Sequence, residues 1–290
     1  MGPVEPESGG ACFPALEHDG GVKSHLDAIV RQATSGGSHW TPVGRGESGA
    51  RVLRDAQRHR YLKVGVGDSA AALAAERDRV MWLEESDVPG AGFLEWHDGD
   101  HGVGLVTSEV PGIPADQLDR LDLAQAWGSI AEHVHRLHAL PSRDCPFDMR
   151  LIDRMTAARS TVREDRVHRS FLPEAILDTP PQELLESLEE QLAVRQDEED
   201  SSLAVCHGDL CLPNIMIDPA TSQVTGFIDV GRLGRADPHA DFALLFANAH
   251  GTWADETRST RAEEDFRSRY GATIDPERLR FYLHLDGLTW

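Results

Sequence analysis

The chain has 290 residues, and its 49 Asp and Glu residues outnumber its 28 Lys and Arg residues, which gives a formal net charge of −21. An acidic surface repels phosphate backbones and anionic lipid, so this charge argues against nucleic-acid and membrane partners. Apolar residues make up 40% of the chain, which is typical of a globular protein long enough for one large domain or two lobes.

Cysteine content and the N-terminal sequence indicate the cellular compartment. Four cysteines are too few for a disulfide scaffold at this length. The opening MGPVEPESGG does not have the basic and apolar pattern of a signal peptide, and no run of about 18 apolar residues predicts a membrane span. We therefore expect a cytoplasmic protein in a reducing environment.

The first half of the chain predicts a small, strand-rich unit. Residues 1–35 form an N-terminal extension with little regular order, apart from a short helix in VKSHLDAIVRQA. A hairpin is predicted from ARVLR and RYLKVGV, and a helix follows in SAAALAAERDRVMWLEES. The segment GFLEWHDGDHGVGLVTSEV predicts two strands around an Asp-Gly turn.

Helices dominate after the sequence PGIP. Apolar residues recur at helical spacing at Leu123, Trp127, Ile130, Val134 and Leu137. One amphipathic helix is predicted in PQELLESLEEQLAVRQD, short strands in SLAVC, NIMID and TGFID, and C-terminal helices in ADFALLFANA, AEEDFRSRY and PERLRFYLHL. This pattern predicts an α+β protein with an N-lobe over 36–107, a hinge over 108–114 and a helical C-lobe over 115–290.

The stretch AVCHGDLCLPNIMID places three polar side chains on a short loop between apolar runs, and IDVGRLG follows. The amide oxygen of Asn214 and the carboxylate of Asp229 are ligands that suit Mg²⁺. Asp209, five residues before Asn214, is placed to accept a proton from a substrate hydroxyl. Kinases hold nucleotide, metal and acceptor with this order of Asp, Asn and Asp.

The strand-rich unit supplies the remaining groups of such a site. Kinases neutralise phosphate with a strand Lys that a helical Glu holds, and Lys63 in YLKV and Glu76 on the following predicted helix match this pattern. The Gly-rich GRGESG, residues 44–49, precedes the hairpin, where a phosphate-covering loop belongs. Gly-rich turns join many strands, so this last signal is weak by itself.

Together, HGDLCLPN, IDVGRLG and ADPHADFALLFAN resemble the aminoglycoside phosphotransferases, antibiotic kinases with a protein-kinase-like two-lobe fold. The extended motifs PVGRGESG, AAERDRVMWL, CPFDMRL and RLRFYLHLDGLTW are most similar to the streptomycin 3''-phosphotransferase branch. The resemblance runs from about residue 40 to residue 290. It implies transfer of the γ-phosphate of ATP or GTP, with Mg²⁺, to the 3''-hydroxyl of streptomycin, and hence antibiotic resistance.

The resemblance also implies roles for single residues in the catalytic loop and the nucleotide site. Asp209 is the expected catalytic base, and Asn214 and Asp229 are the expected metal ligands. Lys63 is expected to contact the nucleotide phosphates, with Glu76 paired to it.

For the rest of the site, the resemblance assigns Ser48 and Gly49 to the phosphate loop. It places the hinge near Ser108 to Val110, whose backbone would meet the adenine. Arg232 is expected near the transferred phosphate or the acceptor, and Asp286 is a candidate carboxylate for an acidic acceptor cleft.

Several alternatives stay open at this point. The protein is either an aminoglycoside kinase or a kinase of the same fold for another small hydroxylated amine, and a third reading is an inactive nucleotide-binding module. We favour a structural role for His207, and we expect Asp241 to anchor the catalytic loop. EHVHRLH lacks the HExxH order of a zinc helix. We expect a monomer or weak dimer.

Overall fold

The structure is a computed structural model that describes residues 20–34, 37–45, 50–100, 102–253 and 255–289. Within these ranges the helices are α1 (Gly20–Thr34), α2 (Asp68–Glu84), α3 (Arg120–His138), α4 (Leu151–Arg163), α5 (Pro181–Glu189), α6 (Leu192–Ser202), α7 (His239–Trp253), α8 (Glu256–Tyr270) and α9 (Pro276–Asp286). The strands are β1 (Thr41–Arg45), β2 (Arg51–Asp55), β3 (Arg60–Gly65), β4 (Phe93–Gly99), β5 (Gly102–Ser108), β6 (Ile113–Pro114), β7 (Ala204–Cys206), β8 (Ile215–Asp218), β9 (Gln223–Phe227) and β10 (Gly234–Ala236).

The N-terminal half is built on an antiparallel sheet with strand order β1-β2-β3-β5-β4. The predicted hairpin is β2–β3 and is confirmed, and β4 and β5 pair as the two predicted strands. The predicted position of the turn is wrong, because Asp98 and Gly99 are the last residues of β4 and pair with β5. Alternation along β3 buries Leu62 and Val64 on one face, and Leu53 of β2 lies opposite Leu62 in register. Helix α2 follows β3 directly and packs against β3, β4 and β5.

Helix α1 covers the apolar face of this sheet. Ile29 and Ala33 are buried in one cluster with Leu53, Leu62 and Val106. The short helix predicted near the N-terminus is therefore present as α1, and it packs on the sheet. Residues 1–19 of the predicted extension lie outside the described residues.

Two segments of the N-terminal half contact β8 and β9 of the C-terminal half at the rear of the cleft. The first runs from the end of β5 to β6, which pairs with β8 of the C-lobe. The second is the α2–β4 loop, where Gly90 bridges to Phe227 and the Phe227 N–H donates to the Pro89 carbonyl at 3.0 Å. Gly226 lies between them, because a Cβ there would be 3.0 Å from Val110 Cγ1 and 3.1 Å from Gly90 Cα.

The C-terminal half is mainly helical, and α3 runs through its centre. All five apolar positions predicted to line one face of α3 are buried. Helices α7 and α8 pack on this face, where Trp127, Phe242, Phe246 and Phe266 form a chain of tilted and edge-on ring contacts. A second apolar cluster joins α4, α5 and α9.

The single amphipathic helix predicted in PQELLESLEEQLAVRQD is wrong, since α5 ends at Glu189 and α6 begins at Leu192. The two helices bury different groups: α5 buries leucines, and α6 buries Arg195 and Glu199. No Gly or Pro marks the break, so the local sequence gave no sign of it. No helix in the described ranges is long and apolar enough to cross a bilayer.

Candidate active site

The loop between β7 and β8 holds the predicted base and the predicted metal-binding amide side by side. The Asn214 side-chain N–H donates to the backbone oxygen of Asp209 at 2.9 Å and to its carboxylate Oδ2 at 3.1 Å. This arrangement uses the amide nitrogen of Asn214 and leaves its side-chain oxygen as the group available to a cation. Asn214 is buried, whereas Asp209 is half-buried at the edge of the cleft.

A buried carboxylate on α7 fixes the start of this loop. Asp241 accepts hydrogen bonds from the backbone N–H groups of His207 at 2.7 Å and Gly208 at 2.9 Å. The His207 ring is itself buried, and its Nε2–H donates to the Ile228 carbonyl at 3.0 Å while its Nδ1 accepts from the Asp209 N–H at 3.3 Å. The anchoring role predicted for Asp241 and the structural role predicted for His207 are both confirmed.

Gly208 allows the loop to pass close to the segment after Asp229. Its φ of +81° is in the left-handed region, and a Cβ built there would lie 2.1 Å from the Arg232 carbonyl oxygen. A side chain at position 208 would therefore meet both backbone strain and a steric clash. The Gly of the HGD motif is thus explained by close packing of two backbones.

Lys63 connects the two lobes across the cleft. Its Nζ donates to Glu76 Oε1 on α2 at 2.6 Å and to Asp229 Oδ1 at 2.9 Å. Burial alone would lower the pKa of Lys63, but the two carboxylates outweigh it and raise that pKa above its usual range. The predicted Lys63–Glu76 pair is therefore present, and the structure places the predicted metal carboxylate on the same ammonium group.

Asp229 follows β9 with a left-handed backbone, at φ +60° and ψ +49°. Among residues with a side chain, Asp is one of the few that adopt this conformation readily. Half of its side chain is exposed, at 50%. The turn therefore directs the Asp229 carboxylate into the cleft at the end of an apolar strand. Burial alone would raise the pKa of this carboxyl, but Lys63 holds that pKa below the usual range.

The cleft environment acts on Asp209 in the opposite direction. Burial raises the pKa of the Asp209 carboxyl, and the nearby Asp286 carboxylate adds to this rise. The site thus contains two carboxylates with opposite pKa shifts: Asp229 is held ionised by a cation, and Asp209 has a higher affinity for a proton. This difference fits one metal ligand and one proton acceptor.

Arg232 and Asp286 lie together beside the catalytic loop. Arg232 Nη1 is 3.5 Å from Asp286 Oδ1, and Arg154 Nη2 is 2.9 Å from the same oxygen. Asp286 is buried, so its charge is balanced by two guanidinium groups. Arg232 Nη2 also donates to Thr289 Oγ1 at 3.3 Å, which ties it to the C-terminal segment.

The predicted hinge residues lie at the rear of the cleft. The Ser108 N–H donates to the Gly92 carbonyl at 2.9 Å, and the Glu109 N–H donates to the His59 carbonyl at 2.8 Å. These two amides therefore secure the hinge to the N-lobe. Val110 is buried beside Gly226. Ser48 and Gly49 of the predicted phosphate loop lie outside the described residues.

The hydrogen bonds that hold the catalytic loop extend beyond Asp241 to residues that the sequence did not indicate. His138 Nε2–H donates to Asp241 Oδ2 at 3.0 Å, and its Nδ1 accepts from the Tyr270 hydroxyl at 2.9 Å. The buried His138, Cys206 and Asp241 lie close enough to hold a metal ion. Each of them is engaged in hydrogen bonding within the protein, and Cys206 Sγ lies 3.6 Å from the Ala236 carbonyl. The only sequence signal was an apolar-face His near the end of α3, which is equally typical of an ordinary core.

A β-rich lobe with a Lys–Glu pair, joined by a hinge to a helical lobe with an Asp–Asn loop, defines a protein-kinase-like phosphotransferase. The model of the phosphotransferase enzyme family matches residues 39–282. The chain belongs to this family.

Relatives within the family cover nearly the whole chain. The sequence is 51% identical over 263 residues to the streptomycin 3''-kinase of Streptomyces griseus, covering 91% of this chain and 97% of that protein. It is 38% identical over 260 residues to an aminoglycoside 3'-phosphotransferase of Streptomyces fradiae, covering 85% and 94%. Aminoglycoside phosphotransferase APH(3'')-Id of Streptomyces rimosus, solved in complex with ADP and streptomycin, is 49% identical with a TM-score of 0.87, covering 92% and 98%.

Proposed function

We propose that this protein transfers the γ-phosphate of ATP to the 3''-hydroxyl of streptomycin and thereby confers resistance to it. The observation that carries the proposal is the meeting of Lys63, Glu76 and Asp229 across the cleft, beside the Asp209–Asn214 pair. The identity of half of all aligned residues to a streptomycin 3''-kinase supports the choice of acceptor. Because ATP is supplied inside the cell, the proposed reaction is cytoplasmic.

Asp209 is the proposed base. Its carboxylate lies at the cleft edge, where it can orient the acceptor hydroxyl and take its proton as the phosphoryl group is transferred in line. The hydrogen bond from Asn214 keeps this carboxylate in one position. Because phosphoryl transfer depends mainly on positioning and charge neutralisation, the rigid support from Asp241 contributes directly to the rate.

The Asn214 oxygen and the Asp229 carboxylate are the proposed Mg²⁺ ligands. They fit this metal because both are hard oxygen donors and because the Asn214 amide nitrogen is already bonded to Asp209. When bound, Mg²⁺ would supply neutralisation of phosphate charge. Lys63, held by Glu76, would add a second positive charge for the nucleotide phosphates.

The hinge and the Gly-rich loop would hold the nucleotide. The N–H groups of Ser108 and Glu109 donate within the N-lobe, so the Val110 N–H is the proposed donor to adenine. The backbone carbonyl of Ser108 would face the same adenine ring. Ser48 and Gly49 are proposed to cover the phosphates. Because these groups come from one chain, a monomer or weak dimer would suffice for activity.

Arg232 and Asp286 are proposed on the acceptor side of the cleft. Arg232 lies three residues after Asp229 in sequence and pairs with Asp286 at 3.5 Å, so we expect it near the transferred phosphate. Streptomycin carries two guanidinium groups that stay protonated at neutral pH. A protein with a net charge of −21 attracts such a cation electrostatically.

Two other functions are separated from this one by a substrate screen. The identity to an aminoglycoside 3'-phosphotransferase favours, as a second candidate, a kinase for aminoglycosides such as kanamycin. The inactive-module hypothesis is disfavoured because the Lys, Asn and two Asp residues are all present and form two hydrogen-bonded pairs, Lys63 with Asp229 and Asn214 with Asp209.

The experiment uses purified protein with Mg²⁺ and γ-labelled ATP or GTP against a panel of aminoglycosides. We expect label on streptomycin and little on kanamycin, with the phosphate located at the 3''-oxygen by NMR of the product. Efficient labelling of kanamycin without labelling of streptomycin would favour the second candidate. No labelling of any acceptor, together with tight nucleotide binding, would favour the inactive module.

A further inference from the structure

A groove on the C-lobe lies apart from the candidate active site. It opens between the first turns of α3, the end of α7 and the first half of α8, with a volume of about 410 Å³. Its walls include Leu121, Ala124, Trp127, Trp253 and Ala262. None of the candidate active-site residues that the structure describes lines it. A cavity of this volume is large enough for a small organic molecule.

The rim of the groove is positively charged, in contrast to the protein as a whole. Arg120, Arg258 and Arg261 line it, and all three are exposed. Asp265 also lines it, but its carboxylate is bound to Arg269 Nε at 3.1 Å. Among the side chains that the structure describes, Arg120 and Arg261 have no ion-pair partner, and Arg258 has only a distant one in Asp255, at 3.9 Å.

Two tryptophan rings form part of the wall of the groove. Trp127 donates its indole N–H to the Ala262 carbonyl at 2.8 Å. Trp253 is 5% exposed, and its indole N–H meets no acceptor within the described part of the chain. Both indole N–H groups are buried, so the two tryptophans offer the groove apolar ring surface.

We propose that this groove binds a small amphipathic carboxylate. The apolar part of the ligand, an aromatic ring or a short acyl chain, packs against the two tryptophans, and its carboxylate binds the arginines. Charge complementarity selects an anion, because guanidinium groups bind carboxylates in a bidentate manner. The apolar walls select an apolar body over a free inorganic anion.

The test uses three naphthalene probes of the same shape in isothermal titration calorimetry with the full-length protein. They are 1-naphthoate, 1-naphthalenemethanol and 1-naphthylmethylamine, which are anionic, neutral and cationic. We expect saturable 1:1 binding of 1-naphthoate, with the neutral probe at least about tenfold weaker because it has no negative charge and no carboxylate to pair with a guanidinium group in a bidentate manner. Equal binding of all three probes would overturn the proposal.

Substitutions then locate the binding. Arg261→Gln should weaken 1-naphthoate about tenfold, and Ala124→Trp, which fills the groove from an exposed position, should abolish its binding. Arg163→Gln on the exposed face of α4 is the matched control and should leave affinity unchanged. Saturating Mg²⁺–ATP should not displace the probe. Displacement by nucleotide, or unchanged binding in both groove variants, would contradict the assignment.

The groove has one rival occupant, a second copy of the chain. Sedimentation velocity over a range of protein concentrations separates the two. A dimer that Ala124→Trp abolishes, and that 1-naphthoate does not dissociate, would assign the groove to self-association and refute the carboxylate site. A monomer at all concentrations, with the expected probe binding, supports it.

Discussion

Asp241 offers a sharp test of how the fold supports the chemistry. Replacing it with Ala removes the acceptor of three hydrogen bonds, from the N–H groups of His207 and Gly208 and from the His138 ring, at 2.7, 2.9 and 3.0 Å. Asp241 has no exposed surface, so water cannot replace it without rearrangement. The two backbone donors belong to the catalytic loop itself.

The expected cost follows from these contacts. Each buried donor left without an acceptor costs about 1–3 kcal/mol, so the Ala variant should lose about 3 kcal/mol or more of its free energy of unfolding. Natural domains have roughly 5–15 kcal/mol in total, so the variant should still fold. Asp241→Asn keeps the volume and one oxygen. His138 can change tautomer to accept from the new amide, so this variant should lose only about 1–3 kcal/mol.

Urea unfolding followed by tryptophan fluorescence measures the stability loss, and steady-state turnover of streptomycin measures the effect on catalysis. We expect kcat to fall on the order of 10²-fold in the Ala variant, because the loop that carries Asp209 is no longer held in place. Asp78→Ala, on the exposed side of α2, is the control and should change stability by less than about 0.5 kcal/mol.

Two results would refute this reasoning. If Asp241→Ala loses less than about 1 kcal/mol, the three donors have found other acceptors and the loop is not anchored as described. If it loses stability but keeps normal kcat under conditions where it is folded, the anchor serves the fold alone. The Asn variant distinguishes charge from shape, since only shape is preserved in it.

Other predictions concern the cleft. Asp209→Asn should reduce kcat by about 10²-fold or more while nucleotide affinity is kept; near-normal turnover would remove Asp209 from its role. Asp229→Ala should abolish the Mg²⁺-dependent part of nucleotide binding in calorimetry, and unchanged affinity would contradict the metal assignment. Because burial raises the pKa of Asp209, kcat/KM should decline on the acid side at a pH above the ordinary aspartate value of about 3.9; a flat profile to pH 4 would disagree. The KM for streptomycin should rise with salt, since attraction over about 8 Å is screened at physiological ionic strength.

The sequence predicted which of the candidate site residues lie together well where their spacing is local. Asp209 and Asn214 lie five residues apart on one loop, and a single motif contains both. Lys63 and Glu76 were predicted from a strand and the helix that follows it, and both elements formed as expected. These predictions succeeded because short-range spacing and apolar periodicity determine the elements involved.

What the sequence did not reveal depends on distant contacts. His138 links Tyr270 to Asp241 by hydrogen bonds, and Tyr270 and His138 are 132 positions apart in the sequence. The pairing of Asp286 with Arg154 is equally remote, and it changes the environment of a carboxylate that the sequence suggested only as part of an acidic cleft. The position of α1 on the sheet depends on an apolar face that exists only after five strands have paired.

Gly226 has a mechanical consequence for the whole molecule. The hinge and the α2–β4 loop both pass this residue, with room for a hydrogen atom but not for a methyl group without displacement. Two attachments so close together act as a pivot, and a displacement at a pivot grows in proportion to the distance from it. A methyl group at position 226 would therefore act as a wedge: a shift of a few tenths of an ångström at the rear would become a larger separation at the mouth, where Lys63 has to reach Asp229.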